Sequence, residues 1–433
     1  MRAFLQNIIR WLAPGLGVKR WLFVILMGTT LIGIGVAVMA LDVYRAAPDT
    51  WWLPILSTLS LQFLDRTLRA IIFSGLGLGM VVLGVVRLSR ALVAPYSTPG
   101  RPMVDTLAGY RRRGRGPRIA VIGGGHGLAT LLRGLKEHTH NLTAIVTVAD
   151  DGGSSGRLRE STGILPPGDI RNCLAALSND EALMEQLFQY RFSSGDSALE
   201  GHSFGNLFIS ALTEITGSFE QAVAESGRVL SVYGRVLPAT LHDVKLVADL
   251  QVPHSNSHVR VKGESSIPAT AGAVHRVWLE PSNPPAYPSA VNELLKADMI
   301  VLGPGSLFTS ILPNLLVRDL AAAIRNSSAL KVFICNVATQ PGETDNFSCG
   351  DHIRALEEHV GRDIFDMVIT TKRGEGQLPE GAEWVPMEEG LEAKYPIYNA
   401  NLADPLAAGR HDSIKLAEKL IDLYQERTGP LVA

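Results

Sequence analysis

"RIAVIGGGHGLATLLRGLKEH", Arg118 to His138, is the stretch on which the fold turns. Ile119 to Ile122 form a short apolar run that stops at glycines, and Leu128, Leu131, Leu132 and Leu135 then recur at helical spacing. A period of two giving way to one of 3.6 reads as strand, turn, helix. Gly123, Gly124, Gly125 and Gly127, with His126 among them, fall at the turn, where bare backbone can approach a phosphate at the helix N-terminus. The spacing is G-G-G-x-G, so the dinucleotide fingerprint GxGxxG is met only loosely. A tight turn needing positive φ would use the same glycines.

Downstream the alternation continues. "NLTAIVTVAD" reads as a second strand, and helical patterns follow in "DIRNCLAALS", "EALMEQLFQYRF", "FGNLFISALTEI" and "FEQAVAESGRVL". Val236 to Leu279 alternates apolar and polar residues between turns, which predicts a small antiparallel β section. Strand–helix alternation resumes at "ADMIVLGPGS", "KVFICNVA" and "FDMVITT" and closes on "HDSIKLAEKLIDLYQER". The expected fold is α/β, a Rossmann-type three-layer sandwich with a mainly parallel sheet and a small β insertion.

Upstream the composition changes. Trp21 to Leu41 is uncharged over 21 residues, long enough to cross a hydrocarbon layer of ~30 Å. Ala70 to Val86 is shorter and Gly-rich, and the two predict a pair of transmembrane helices, at about 21–41 and 70–86, in an anchor over 1–92. Arg2, Arg10, Lys19 and Arg20 precede the first span, and Arg87, Arg90, Arg101 and the run Arg111 to Arg118 follow the second. By the positive-inside rule both termini are expected in the cytoplasm, with the protein multi-pass in the cell membrane. Residues 93–117 read as a basic Pro/Gly linker, and 118–433 as the folded domain. The basic runs suit anionic headgroups. A net charge of −2 argues against nucleic acid as a partner. Cys173, Cys335 and Cys349 lack CxxC spacing, which points away from both a disulfide framework and a zinc site.

Several strand ends carry small or polar loops. In "TVADDGGSSGRLR", Asp150 and Asp151 precede Gly152, Gly153, Ser154, Ser155 and Gly156. Adjacent carboxylates can hold Mg²⁺ through a few oxygens plus phosphate and water, and the glycines offer N–H groups to an anion that Arg157 or Arg159 could neutralise. "PPGDIRNCL" places Asp169 at an expected helix N-cap, with Asn172 in the first turn. "EGHSFGNLF" sets His202 and Asn206 at another polar helix start. "VLGPGSLFTSILPNLLV" supplies Gly303, Gly305, Ser306 and Thr309 as a second phosphate cradle. "NVATQPGETDNF" adds Asn336, Thr339, Gln340 and Glu343. Doubly wound sheets bind ligands at such strand ends. With neither GxxxxGK[ST] nor GxSxG present, a P-loop ATPase and a serine hydrolase are disfavoured.

Taken in order, "VIGGGHGLATLLRGL", "VTVADDGGSSGRLR", "LPPGDIRNCLAAL", "HSFGNLFI", "GPGSLFTSILPNLLV" and "NVATQPGETDNF" resemble the YvcK, or gluconeogenesis factor, family of the CofD-like superfamily. The resemblance runs from Arg118 to the C-terminus, leaving residues 1–92 outside it. It implies a CofD-like fold and a UDP-sugar ligand such as UDP-GlcNAc, in a regulator of carbon metabolism, cell shape and cell-wall precursor supply. The related CofD enzyme is a Mg²⁺-dependent 2-phospho-L-lactate transferase with a nucleoside diphosphate-linked donor, so a transferase is the alternative. Asp150 and Asp151 then become catalytic or metal-binding. Partners implied are a UDP-sugar or other nucleoside diphosphate, cell-wall enzymes or regulatory kinases, and a second copy of the chain, beside the bilayer.

Overall fold

The computed structural model describes residues 113–428, apart from 180, 194–198, 254, 256 and 375, together with short stretches between 26 and 86. Two compact units divide the chain, Met1–Arg111 with Ala433, and Arg112–Val432.

Seven strands of the second unit form one sheet in the order β10-β9-β8-β7-β1-β2-β3, with every neighbouring pair parallel. They are β1 Ile119–Gly123, β2 Leu142–Val146, β3 Arg235–Pro238, β7 Met299–Leu302, β8 Leu330–Ile334, β9 Met367–Thr371 and β10 Ile397–Ala400. All five residues of β1 are buried, as a central parallel strand covered on both faces requires. The order runs outward from β1 in both directions, first to β2 and β3 and later to β7 and beyond, so a topological switch lies between β1 and β7.

Helix α1, Gly125–Leu135, returns over the sheet with Leu128, Leu131, Leu132 and Leu135 buried, each contributing about 1.5–3 kcal/mol. It packs on α3, Gly168–Leu177, and on the closing helix α11, Ser413–Thr428. The other helices are α2 Gly153–Thr162, α4 Glu181–Gln189, α5 Phe204–Thr216, α6 Phe219–Val229, α7 Pro288–Lys296, α8 Leu312–Leu315, α9 Arg318–Asn326 and α10 Cys349–Val360.

The antiparallel section is smaller than the alternation predicts. Strands β4 Lys245–Gln251, β5 His258–Lys262 and β6 Ala273–Glu280 form a three-stranded sheet, whereas Val236 belongs to β3 and pairs in parallel with Ala144. The linker also ends earlier than expected. Asn141 Nδ2 donates to the carbonyls of Gly114 (3.2 Å) and Gly116 (2.8 Å), so the last residues assigned to the linker are held by the folded unit.

The predicted span at 21–41 lies largely outside the described residues. In the one at 70–86, residues 71–72, 75–79, 81–83 and 85–86 are helical, with Ile71 and Leu83 exposed. Among the described residues no single helix is long and apolar enough to cross a membrane.

Candidate functional site

A cavity of about 990 Å³ lies at the switch, over the C-terminal ends of β1, β7 and β8. Two glycine turns meet there. A Cβ on Gly127 would sit 2.7 Å from the Pro304 carbonyl oxygen, so the first turn passes too close to the second for any other residue. Asn314 fastens them together, its Nδ2 donating to the carbonyls of Gly123 (2.9 Å) and Ser310 (2.7 Å). Gly125 has φ +62°, the left-handed region that glycine adopts without strain.

Asp169 does not cap its own helix. Pro167 is the N-cap of α3, and the Asp169 carboxylate reaches across to accept from the Gly125 N–H at the start of α1. A side chain on Gly124 would overlap that carboxylate. An acid of the chain itself thus occupies part of the helix N-terminus that the glycines opened.

The second turn is organised by neutral side chains. Gln340 Nε2 donates to Ser306 Oγ at 2.7 Å, and Gly305 N–H to Asn336 Oδ1 at 3.4 Å. Thr339 Oγ1 accepts the Glu383 N–H at 2.9 Å, which fixes the loop after β8. Thr309 Oγ1 donates to Glu343, 3.1 Å from Oε1.

Four carboxylates face the cavity: Asp150, Asp169, Glu264 and Glu343. Burial raises all four. Asp169 is pushed up to about 7 by burial and by Asp150. Glu264 goes to about 8 through burial and the charges of Asp150, Asp169 and Glu343. Glu343 goes to about 7 by burial, and Asp150 is raised by burial while its Oδ1 accepts the Gly152 N–H at 2.8 Å. Such a group of acids repels itself unless protonated or met by a cation.

Asp150 and Asp151 part company. Asp151 Oδ1 accepts from Ser265 N–H (3.0 Å) and Oγ–H (2.9 Å), which pins the turn Glu264–Ser266 of the β insertion. Asp150 faces the cavity, and Asp151 positions the segment that brings Glu264 to it.

Of the residues singled out by sequence, Gly124, Gly125, His126, Gly127, Asp150, Asp169, Gly305, Ser306, Thr309, Asn336, Thr339 and Gln340 line the cavity. Others stand behind it. Gly153, Ser154 and Ser155 are the first residues of α2 rather than a free loop, and both serines are buried. Ser154 Oγ lies 3.1 Å from His202 Nδ1 and accepts from Asn206 Nδ2 at 3.1 Å, while Asn172 Oδ1 accepts from Arg171 and Gln189. His202, Asn206 and Asn172 therefore support α2 and α3. Gly123 ends β1 and Gly303 follows β7, neither lining the cavity, and Gly152 only donates to Asp150. Arg157 is exposed outside the cavity, and Arg159 is buried in an ion pair with Asp243 and a 2.6 Å bond to the Val244 carbonyl. Neither arginine reaches the cavity as an anion partner.

Sequence reasoning missed Glu264 and the wall formed by residues 377–382 and 406–411. Arg410 lines that wall, and His411 is buried there, pulled down to about 4 by burial, with no hydrogen bond to Nε2.

Residues 119–393 match the family described as 2-phospho-L-lactate transferase CofD. A gluconeogenesis factor of Bacillus subtilis (strain 168) is 44% identical, over 72% of this chain and 100% of its own length. A protein of Nostoc sp. (strain PCC 7120), also named for gluconeogenesis, is 48% identical over 96% of this chain and 92% of its own. That coverage takes in most of residues 1–92, so the N-terminal segment, placed outside the resemblance, is shared with a relative. A crystal structure of a UPF0052-family protein from Bacillus halodurans superposes with TM-score 0.65 at 43% identity, covering 71% of this chain and 99% of the other. With glycine turns, strand order and relatives in agreement, the chain belongs to the CofD family and, within it, to the gluconeogenesis factors.

Proposed function

We propose that the protein is a nucleotide-sugar-binding regulator of carbon and cell-wall precursor metabolism, with a UDP-sugar of the UDP-GlcNAc type seated at the β1/β7 switch. One observation carries this reading: a single cavity brings together two glycine turns, the hydroxyls of Ser306 and Thr309 and four carboxylates. A diphosphate needs the backbone and hydroxyl donors, and a cation accompanying it needs the carboxylates. The donors are all oxygen, which suits Mg²⁺. Among the described residues no three His, Cys, Asp or Glu side chains form a ready-made cage, in keeping with a cation that keeps water and phosphate in its shell. Asp150 and Asp169 would hold it, and when bound it would offset charge on the diphosphate. The chain's own residues orient the ligand: Ser306 and Gln340 by hydrogen bonding, Arg410 by its charge in the same cavity. In the regulatory reading the ligand shifts the population of a state that other proteins recognise.

A transferase is the second reading, favoured by Asp169 and Glu264, whose elevated values leave each able to take or give a proton near neutrality. Titrating the full chain with UDP-GlcNAc and with UDP, in Mg²⁺ and in EDTA, tests the first reading. Saturable binding without cleavage of the diphosphate supports the regulator, release of UMP only with an acceptor supports the transferase, and no binding in either buffer overturns both. The membrane reading of residues 1–92, with both termini cytoplasmic, also belongs to this proposal. Protease protection on vesicles tests it, and a C-terminus found outside would reverse the topology.

A further inference from the structure

A second cavity, about 710 Å³, shares no residue with the first. It lies where the antiparallel sheet β4–β6 meets helices α8, α9 and α10. Arg260 and Arg276 enter it from the sheet, and Arg318 and Arg325 from α9. Among the described residues, Asp249 is the only carboxylate lining it. That acid is committed to Arg260, accepting from Nε at 3.0 Å and Nη2 at 3.3 Å. The paired guanidinium lies 4.8 Å from the centroid of the Trp278 ring, which forms a flat wall. Arg325 is held in place by the carbonyls of Val360 and Arg362. Arg276 and Arg318 are exposed and, among the described residues, enter no ion pair or side-chain hydrogen bond.

His359 adds no charge. Its Nε2 accepts the Val277 N–H at 3.0 Å, so Nδ1–H donates to the Ala355 carbonyl at 2.7 Å and the ring is neutral. Three guanidiniums in the groove therefore lack a carboxylate. They come from two structural layers that no ion pair among the described residues joins at this point.

We propose that this groove binds a phosphoryl-bearing anion, bridged between Arg276 on β6 and Arg318 on α9. Guanidinium groups match phosphoryl oxygens with paired N–H donors, a geometry that lysine cannot supply. An anion so bridged would also tie the β insertion, whose turn carries Glu264, to the helices of the main sheet.

Pyrophosphate titrated into the full chain, with heat and tryptophan emission followed together, tests the assignment. The expected result is saturable binding with an emission change that Trp278→Phe abolishes. The Arg276→Ala/Arg318→Ala double variant weakens this component by roughly tenfold or more. Both arginines are exposed, and a thermal unfolding curve on each variant checks the fold. Adding phosphatidylglycerol vesicles to the same chain separates the sources of the phosphoryl group, the readout being the Trp278-dependent emission change, because residues 1–92 would carry the chain to a bilayer by themselves. Such a change with vesicles, lost in the double variant, identifies a lipid headgroup, whereas one seen with pyrophosphate alone identifies a free anion. A double variant that matches wild type in both measurements overturns the proposal.

Discussion

The turn after β1 and the turn after β7 each end a buried parallel strand, each are rich in glycine and each lead into helical backbone, yet they are filled differently. Asp169 lies against the first and accepts the Gly125 N–H. Asn336 and Gln340 stand against the second, with neutral amides bonded to Gly305 and Ser306. One turn has a carboxylate lodged against its backbone, and the other is held by neutral amides. A glycine turn thus states where backbone is bare, and the side chains brought to it from elsewhere decide what charge it will accept.

The largest effect is expected where the turns touch. Gly127→Val would drive a side chain into Pro304 and Gly305 backbone, which cannot yield as a flexible side chain can. A loss of about 3 kcal/mol in urea unfolding is expected. Gly125→Val should cost less, about 1–2 kcal/mol, because its penalty is backbone strain at φ +62°, the nearest neighbour of a Cβ being the Asp169 carboxylate at an ordinary 3.9 Å. Equal stability of Gly127→Val and wild type would mean that the turns are not in contact.

The cavity carboxylates give a pH signature. Asp169, Glu264 and Glu343 hold protons more tightly folded than unfolded, so the folded state binds more protons between about pH 4 and pH 8. Their contribution to stability then falls as pH rises through that window without divalent cations, while His411, kept neutral by burial, works in the opposite sense below about pH 6.5. Asp169→Asn or Glu264→Gln should flatten the slope, and Mg²⁺ should do the same in wild type. A pH slope in EDTA between about pH 6.5 and 8 that neither substitution changes contradicts the assignment.

Adjacent acids sharpen the comparison further. Asp150→Asn should weaken Mg²⁺-dependent binding of UDP about tenfold, since an amide is a poorer ligand for a hard cation. Asp151→Asn keeps an oxygen for Ser265 and should change affinity by less than about threefold. Calorimetry on both variants separates the roles, and equal losses would put both carboxylates on the ligand.

The smallest effect concerns the boundary. A fragment starting at Arg112 should exceed one starting at Arg118 by about 1 kcal/mol in urea unfolding. It keeps the Asn141 bonds to Gly114 and Gly116 and the exposed Arg113–Glu137 pair.

What could be read in the sequence was local. Ile119–Gly123 with the leucines of α1 announced the first strand and helix, and small residues at later strand ends marked half the cavity. Burial without apolarity was hidden. Ser154, Ser155 and Arg159 are buried in a stretch with one leucine, because hydrogen bonds to His202, Asn206 and Val244 replace water. Long-range delivery was hidden too. Glu264 sits in an insertion and reaches the acids only when that sheet docks, and His411 lies almost 290 positions beyond the first glycine turn. Periodicity carries no information about either.

The packing of α1 on α11 bears on how the protein is made. Gly134 lies directly against Ser413 and Ala417, so the helix that follows the first turn rests on a helix from the far end of the chain. During synthesis the side of α1 around Gly134 stays uncovered until α11 has been made, although α3 and the first strands can pack on α1 much earlier. Contacts of such sequence separation slow folding and prolong exposure to aggregation and to chaperones. A premature stop before residue 413 would therefore release a chain that lacks the support of its first helix, even with every residue of the cavity already in place.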